Sequence, residues 1–180
     1  MEEKAIRLIL NNEVYSYIRE EDKNFACQFT ESMNALGYTC QEKIGDGYCY
    51  GKHMMIFTKK SVKSNKVYAR IYFRTKQTVL RFFFSNITDH AKYIAVCPPF
   101  IKETFTGEYG KCRHCRSEDC QFRKTYTIDD QYYEKCNGLT FEFYEPSVDR
   151  LKAYLDLFVQ FYPHKQKFNK QSIIPTVMIT

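Results

Sequence analysis

Residues 66–85 read KVYARIYFRTKQTVLRFFFS, and their alternation decides the fold. Two runs with a period of two, parted by a short turn around Lys76, predict an antiparallel hairpin of Val67–Arg74 against Thr78–Ser85. On the first strand Val67, Ala69, Ile71 and Phe73 share one face, and Tyr68, Arg70, Tyr72 and Arg74 share the other. On the second, Leu80, Phe82 and Phe84 point one way and Arg81 and Phe83 the other. One face of this hairpin is apolar and belongs against a core. The other mixes aromatic rings with cations.

Outward from the hairpin the reading stays mixed. The polar run Lys59–Lys66 is a loop, and before it Asp46-Gly47 signals a turn between strands at Tyr38–Ile44 and Tyr48–Thr58. The first 37 residues predict two amphipathic helices. One carries the stripe Ile6, Leu10, Val14 and Tyr17, weakened at Asn11-Asn12; the other carries Phe25, Phe29, Met33 and Leu36 and is stopped by Gly37. C-terminal to the hairpin, short helices are expected at Thr88–Ala95 and Pro99–Phe105, parted by Cys97-Pro98-Pro99. KTYTI (124–128) reads as a strand, and Leu139–Glu145 alternates, with Leu139, Phe141 and Phe143 inward and Thr140, Glu142 and Tyr144 outward. The clearest helix is Ser147–Tyr162, flanked by Pro146 and Pro163, with a stripe of Val148, Leu151, Leu155, Phe158 and Tyr162. The expected fold is α+β: an antiparallel sheet, helices mainly on one side, and a four-cysteine metal-binding segment. Residues 1–163 are expected to form one domain that includes this segment at 107–138, followed by a basic tail over 164–180.

That segment contains Cys112-x2-Cys115-x4-Cys120-x15-Cys136. A C-x2-C turn lets two thiolates reach one ion, and two more complete the tetrahedron that zinc prefers. Four protein ligands leave no open position for water, so the expected role of the zinc is structural. Lys111, Arg113, Arg116 and Lys124 stand nearby to offset the charge of four thiolates. Three alternatives stay open. His114 can replace one cysteine, Cys97 can act as an outlying ligand, or the four thiols can hold an iron–sulfur cluster, although the plant-type order C-x4-C-x2-C is the reverse of this one.

Composition narrows the setting. The acidic start MEEKAIRLIL is unlike a signal peptide, and the apolar run Val79–Phe84 is interrupted by Arg81 and far too short for a bilayer. A cytoplasmic chain keeps its eight cysteines reduced, which favours metal ligation over disulfides. The net charge of +6 is unevenly spread: Gly47–Thr88 holds no Asp or Glu but contains Lys52, Lys59, Lys60, Lys63, Lys66, Arg70, Arg74, Lys76 and Arg81. Such a one-signed stretch favours an anionic partner.

As an enzyme the sequence is quiet. Cys49 and His53 lie about 13 Å apart on the expected strand, too far for a nucleophile–base pair. GDGYCYG (45–51) lacks the Lys-Ser/Thr ending of a phosphate loop. The binding candidates are Tyr68, Arg70, Tyr72, Arg74, Arg81 and Phe83, where rings stack on planar groups and guanidiniums grip phosphate or carboxylate. The expected function is a zinc-binding, non-enzymatic module whose basic aromatic face takes nucleic acid or a nucleotide-like anion. A small-molecule sensor domain and an iron–sulfur or other metal-dependent protein are the alternatives.

GEYGKCRHC, CQFRKTYTIDDQYYEKCNGLTFEFYEP and VYARIYFR together resemble a group of small uncharacterised bacterial proteins. The likeness covers roughly residues 45 to 163 and is greatest at the cysteines. It implies a bacterial cytosolic setting and no particular activity.

Overall fold

A computed structural model describes residues 3–41, 44–60, 66–107, 123–136 and 140–163, with the backbone alone at Glu3, Lys4, Cys49 and Cys136. The described elements are α1 (Glu3–Leu10), α2 (Glu20–Ala35), β1 (Tyr38–Cys40), β2 (Gly45–Asp46), β3 (His53–Lys59), β4 (Val67–Phe73) and β5 (Thr78–Phe82). They continue with α3 (Ala91–Ala95), α4 (Pro99–Thr106), β6 (Arg123–Ile128), β7 (Gln131–Cys136), β8 (Phe141–Tyr144) and α5 (Leu151–Phe161). Short 3-10 turns lie at Glu13–Tyr15, Tyr48–Tyr50, Ile87–His90 and Val148–Arg150.

The architecture is α+β with an antiparallel main sheet in the order β1-β3-β4-β5-β8. β2 pairs with β3 as β1 does, so the two act as one interrupted edge strand. The apolar face of the sheet is built from Phe57, Ala69, Ile71, Phe73, Leu80, Phe82, Phe141 and Phe143, all buried. Helices α2 and α5 cover it. Phe29 of α2 meets Phe57 edge-on with ring centroids 5.1 Å apart, Phe158 of α5 lies 5.5 Å from Phe82, and Tyr154 lies 5.1 Å from Phe143. Burying rings of this size supplies roughly 1.5–3 kcal/mol each, before entropy is subtracted.

Local chemistry sets the ends of the elements. Asn12 accepts a hydrogen bond from the Val14 amide, which starts a 3-10 turn and ends α1 at Leu10; Val14 is left exposed instead of continuing the stripe. Gly37, at φ 85°, takes the left-handed position that closes α2. The expected strand at Tyr48–Thr58 begins only at His53, because Tyr48–Tyr50 coil into a 3-10 turn. Gly47 and Gly51 approach so closely there that a side chain on Gly47 would run into the Gly51 carbonyl. Helix α5 buries Tyr154, Leu157, Phe158 and Phe161, with Leu151 and Leu155 only partly covered, so its contact face is rotated from the expected stripe. The apolar arc of LKAYLDLFVQF is wide enough to permit either.

Strands β6 and β7 form a separate hairpin that adds Tyr126 and Ile128 to the same core cluster. Its two-residue turn places Asp129 and Asp130 at φ 51° and 58°, the geometry that favours glycine at the second position. Asp130→Gly is expected to raise stability by about 0.5–1 kcal/mol through relief of left-handed strain. A shift of the urea midpoint to lower denaturant would contradict this. Among the described residues, no helix is long and apolar enough to cross a membrane.

Candidate functional site

The second face of the sheet follows from the strand register. Arg70 of β4 stands opposite Arg81 of β5, and Arg81 stands opposite Glu142 of β8. One step along, Tyr72, Val79 and Tyr144 form the next row. Two arginines side by side repel, so the arrangement needs a carboxylate, and Glu142 supplies it. Arg81 Nε donates to Glu142 Oε1 at 2.8 Å, and a second guanidinium nitrogen donates to the same oxygen. Both side chains are almost completely buried, Arg81 at 3% and Glu142 at 6% exposed, so this pair is internal and not a surface contact. Burial works against the Arg81 charge, but Glu142 and the neighbouring tyrosines outweigh it and hold its pKa above the usual arginine range.

Aromatic rings complete the enclosure. The Arg81 guanidinium lies 4.1 Å from the Tyr50 ring centroid and 4.8 Å from that of Tyr72. The Tyr72 hydroxyl accepts from Arg81 at 3.3 Å and from Arg70 at 3.0 Å. Tyr144 donates its hydroxyl to Glu142 Oε2 at 2.7 Å, which occupies the second carboxylate oxygen. Arg74 donates from Nε to the Tyr50 carbonyl at 2.7 Å and sits 5.8 Å from the Tyr144 ring centroid. Arg70 lies over Phe83 at 5.2 Å, and its Nε is buried without an acceptor. Three arginines therefore share a face on which the one carboxylate bonded to an arginine, Glu142, is committed to Arg81 and Tyr144.

Of the expected binding residues, Arg70, Tyr72, Arg74, Arg81 and Phe83 do gather on this face. Tyr68 does not. Phe57 pairs with Ala69 and Thr58 with Val67, so Tyr68 is an extra residue in a β-bulge. The bulge turns its ring to the helix-covered side, where it packs against Tyr38 at 5.0 Å and Tyr162 at 4.8 Å. Arg81 and Tyr72 are likewise corrected: Arg81 is an internal cation held by Glu142, and Tyr72 is fully buried, with no ring face open to a ligand. The sequence reading missed Tyr50 and Glu142 as parts of the site. Glu142 had a usable signal, the outward positions of the last strand, but that signal names no partner.

Cys112, Cys115 and Cys120 lie outside the described residues, as does the stretch 164–180, and Cys136 is described only as the last backbone position of β7. Among the described residues, no three His, Cys, Asp or Glu side chains gather to hold a metal. His53 Nδ1 shares a 2.8 Å hydrogen bond with the Tyr17 hydroxyl, and burial, helped by Tyr15, pushes the Tyr17 pKa up to about 12. Cys27 and Cys40 are buried thiols, and burial lifts Cys40 to about 11, which disfavours the thiolate. Lys135 is a buried lysine that no sequence pattern singles out. Burial pushes it down to about 6, opposed by Glu142, and its Nζ donates to the Thr104 carbonyl.

No protein-family model matches this chain, and neither a curated protein nor a solved structure matches it.

Proposed function

We propose that the protein is a zinc-stabilised, non-enzymatic cytoplasmic module that binds an anionic ligand through the arginine-rich face of its sheet. The observation that carries this reading is the charge imbalance there. Glu142 is bonded to Arg81, while Arg70 and Arg74 stand on the same face with no ion pair to a carboxylate among the described residues. The acid-free composition of Gly47–Thr88 points the same way, because no Asp or Glu in β3, β4 or β5 opposes an incoming anion. The resemblance to small bacterial proteins supports the cytosolic setting.

The zinc part of the proposal is supported by the β6–β7 hairpin. Cys136 pairs with Arg123, and Cys120 lies only three residues before Arg123 in the chain. The hairpin thus removes most of the sequence distance between the fourth cysteine and the other three. Four cysteine thiolates suit zinc, whose place would be structural.

Arg70→Ala combined with Arg74→Ala is expected to weaken polyanion binding while leaving the thermal midpoint nearly unchanged. Each lost phosphate contact should lower the slope of log K against log salt by roughly 0.7–0.9. The check is a salt titration of heparin binding, with melting curves on the same samples. Unfolding of the double variant would make these arginines internal and remove the binding face.

A further inference from the structure

We infer that the anion taken by this face is a single-stranded nucleic acid, and that Tyr48 and Tyr144 are the rings on which its bases stack. The inference rests on the anion-binding reading above and assigns two residues that the sequence pattern did not put in the site. Among the described residues large apolar side chains are mostly buried, yet Tyr48 is 80% exposed and Tyr144 48% exposed. Both border Arg74. The Tyr144 ring lies beneath the Arg74 guanidinium, and Arg74 Nε is bonded to the carbonyl of Tyr50, two residues beyond Tyr48.

The loop that carries Tyr48 is braced. The Gly47 amide bonds the Lys52 carbonyl at 3.1 Å, the Tyr50 amide bonds the Gly47 carbonyl at 3.1 Å, and the Lys52 amide bonds the Phe73 carbonyl at 2.9 Å. The Tyr50 ring anchors the same loop over Arg81. Tyr48 itself sits at φ 49°, a backbone conformation that a bulky residue adopts only when its surroundings fix it. The result is an exposed ring carried on a backbone that is held at a set position.

Charge and spacing select the ligand. Arg70 and Arg74 are four residues apart on and just beyond β4, about 13 Å along the strand direction, which suits a backbone of repeated phosphates better than one compact anion. Exposed rings beside such cations are the arrangement that holds single strands without reading their sequence, since every base has a stacking face. A duplex keeps its bases stacked on one another and has no use for the two tyrosines.

The test compares a fluorescent twelve-residue oligothymidylate with an abasic deoxyribose-phosphate strand of equal length and charge, by anisotropy at fixed salt. The intact protein is expected to bind the strand with bases at least 10-fold more tightly. Tyr48→Ala and Tyr144→Ala should each weaken oligothymidylate binding roughly 5- to 100-fold and leave the abasic strand unaffected. Tyr144→Phe, which keeps the ring and loses the bond to Glu142, should bind like the parent. Equal affinity for the two strands would overturn base stacking while the anion-binding face stands. If neither strand binds and heparin does not bind either, the face itself is refuted and this inference falls with it.

Discussion

Glu142→Gln is expected to destabilise the protein by about 3–5 kcal/mol, the cost of leaving a buried cation without its counter-charge. Arg81 is enclosed by Tyr50, Tyr72 and the strands on either side, so water cannot replace the lost carboxylate. The complementary variant, Arg81→Met with Glu142→Leu, removes both charges and is expected to lie near the parent or slightly above it. Urea denaturation of the three proteins measures this directly. A cost below about 1 kcal/mol for Glu142→Gln would mean that the pair is solvated after all. The same substitution adds one uncompensated positive charge to the face. Where Glu142→Gln still folds, polyanion affinity should therefore rise as stability falls. A purely structural pair gives no reason for those two quantities to move in opposite directions.

Cys112→Ser and Cys136→Ser are each expected to lose the bound ion and several kcal/mol of stability, because the binding energy of a structural ion is folding energy. For a chain of this size, that corresponds to a fall in Tm of about 10 °C or more. Elemental analysis of protein purified without added metal or chelator, with an absorption spectrum of the same sample, identifies the ion. One zinc per chain and a colourless protein is the expected result. Iron with visible absorbance would replace the structural role with redox or sensing chemistry. A serine variant that is metal-free yet as stable as the parent would end the structural-site reading.

The sequence revealed those parts of the fold whose signals are local. The β4–β5 hairpin, the buried stripe of Phe25, Phe29 and Met33, and the proline that opens α4 all stand where period and punctuation put them. What it concealed was decided by a partner far along the chain. The bulge at Tyr68 depends on how β3 pairs, and nothing in VYARIYF announces the extra residue. Helix α5 offers apolar residues over a wide arc, and the rings beneath it choose which of them to bury. The candidate site divides the same way. Alternation put Arg70, Tyr72, Arg74, Arg81 and Phe83 on one face, but the fate of Arg81 hung on Glu142, and that of Tyr50 on a 3-10 turn where a strand was expected.

The strand order has a consequence for how the chain is made. Arg81 and Glu142 are 61 residues apart, and β5 lies between β4 and β8. A growing polypeptide displays the β3–β4–β5 meander with its central arginine unpaired, and with α2 but not yet α5 available to cover its aromatic face, well before β8 has been synthesised. Through that interval β5 is a free edge, the kind that pairs with other chains. Docking of the last strand replaces that edge with β8, only four residues long, and brings the arginine its carboxylate. A hairpin clasped by metal between β5 and β8 would shorten the loop to be closed and so hasten that docking. In a cell short of zinc, the first sign of trouble would then be a low yield of folded protein, ahead of any loss of binding by the molecules already made.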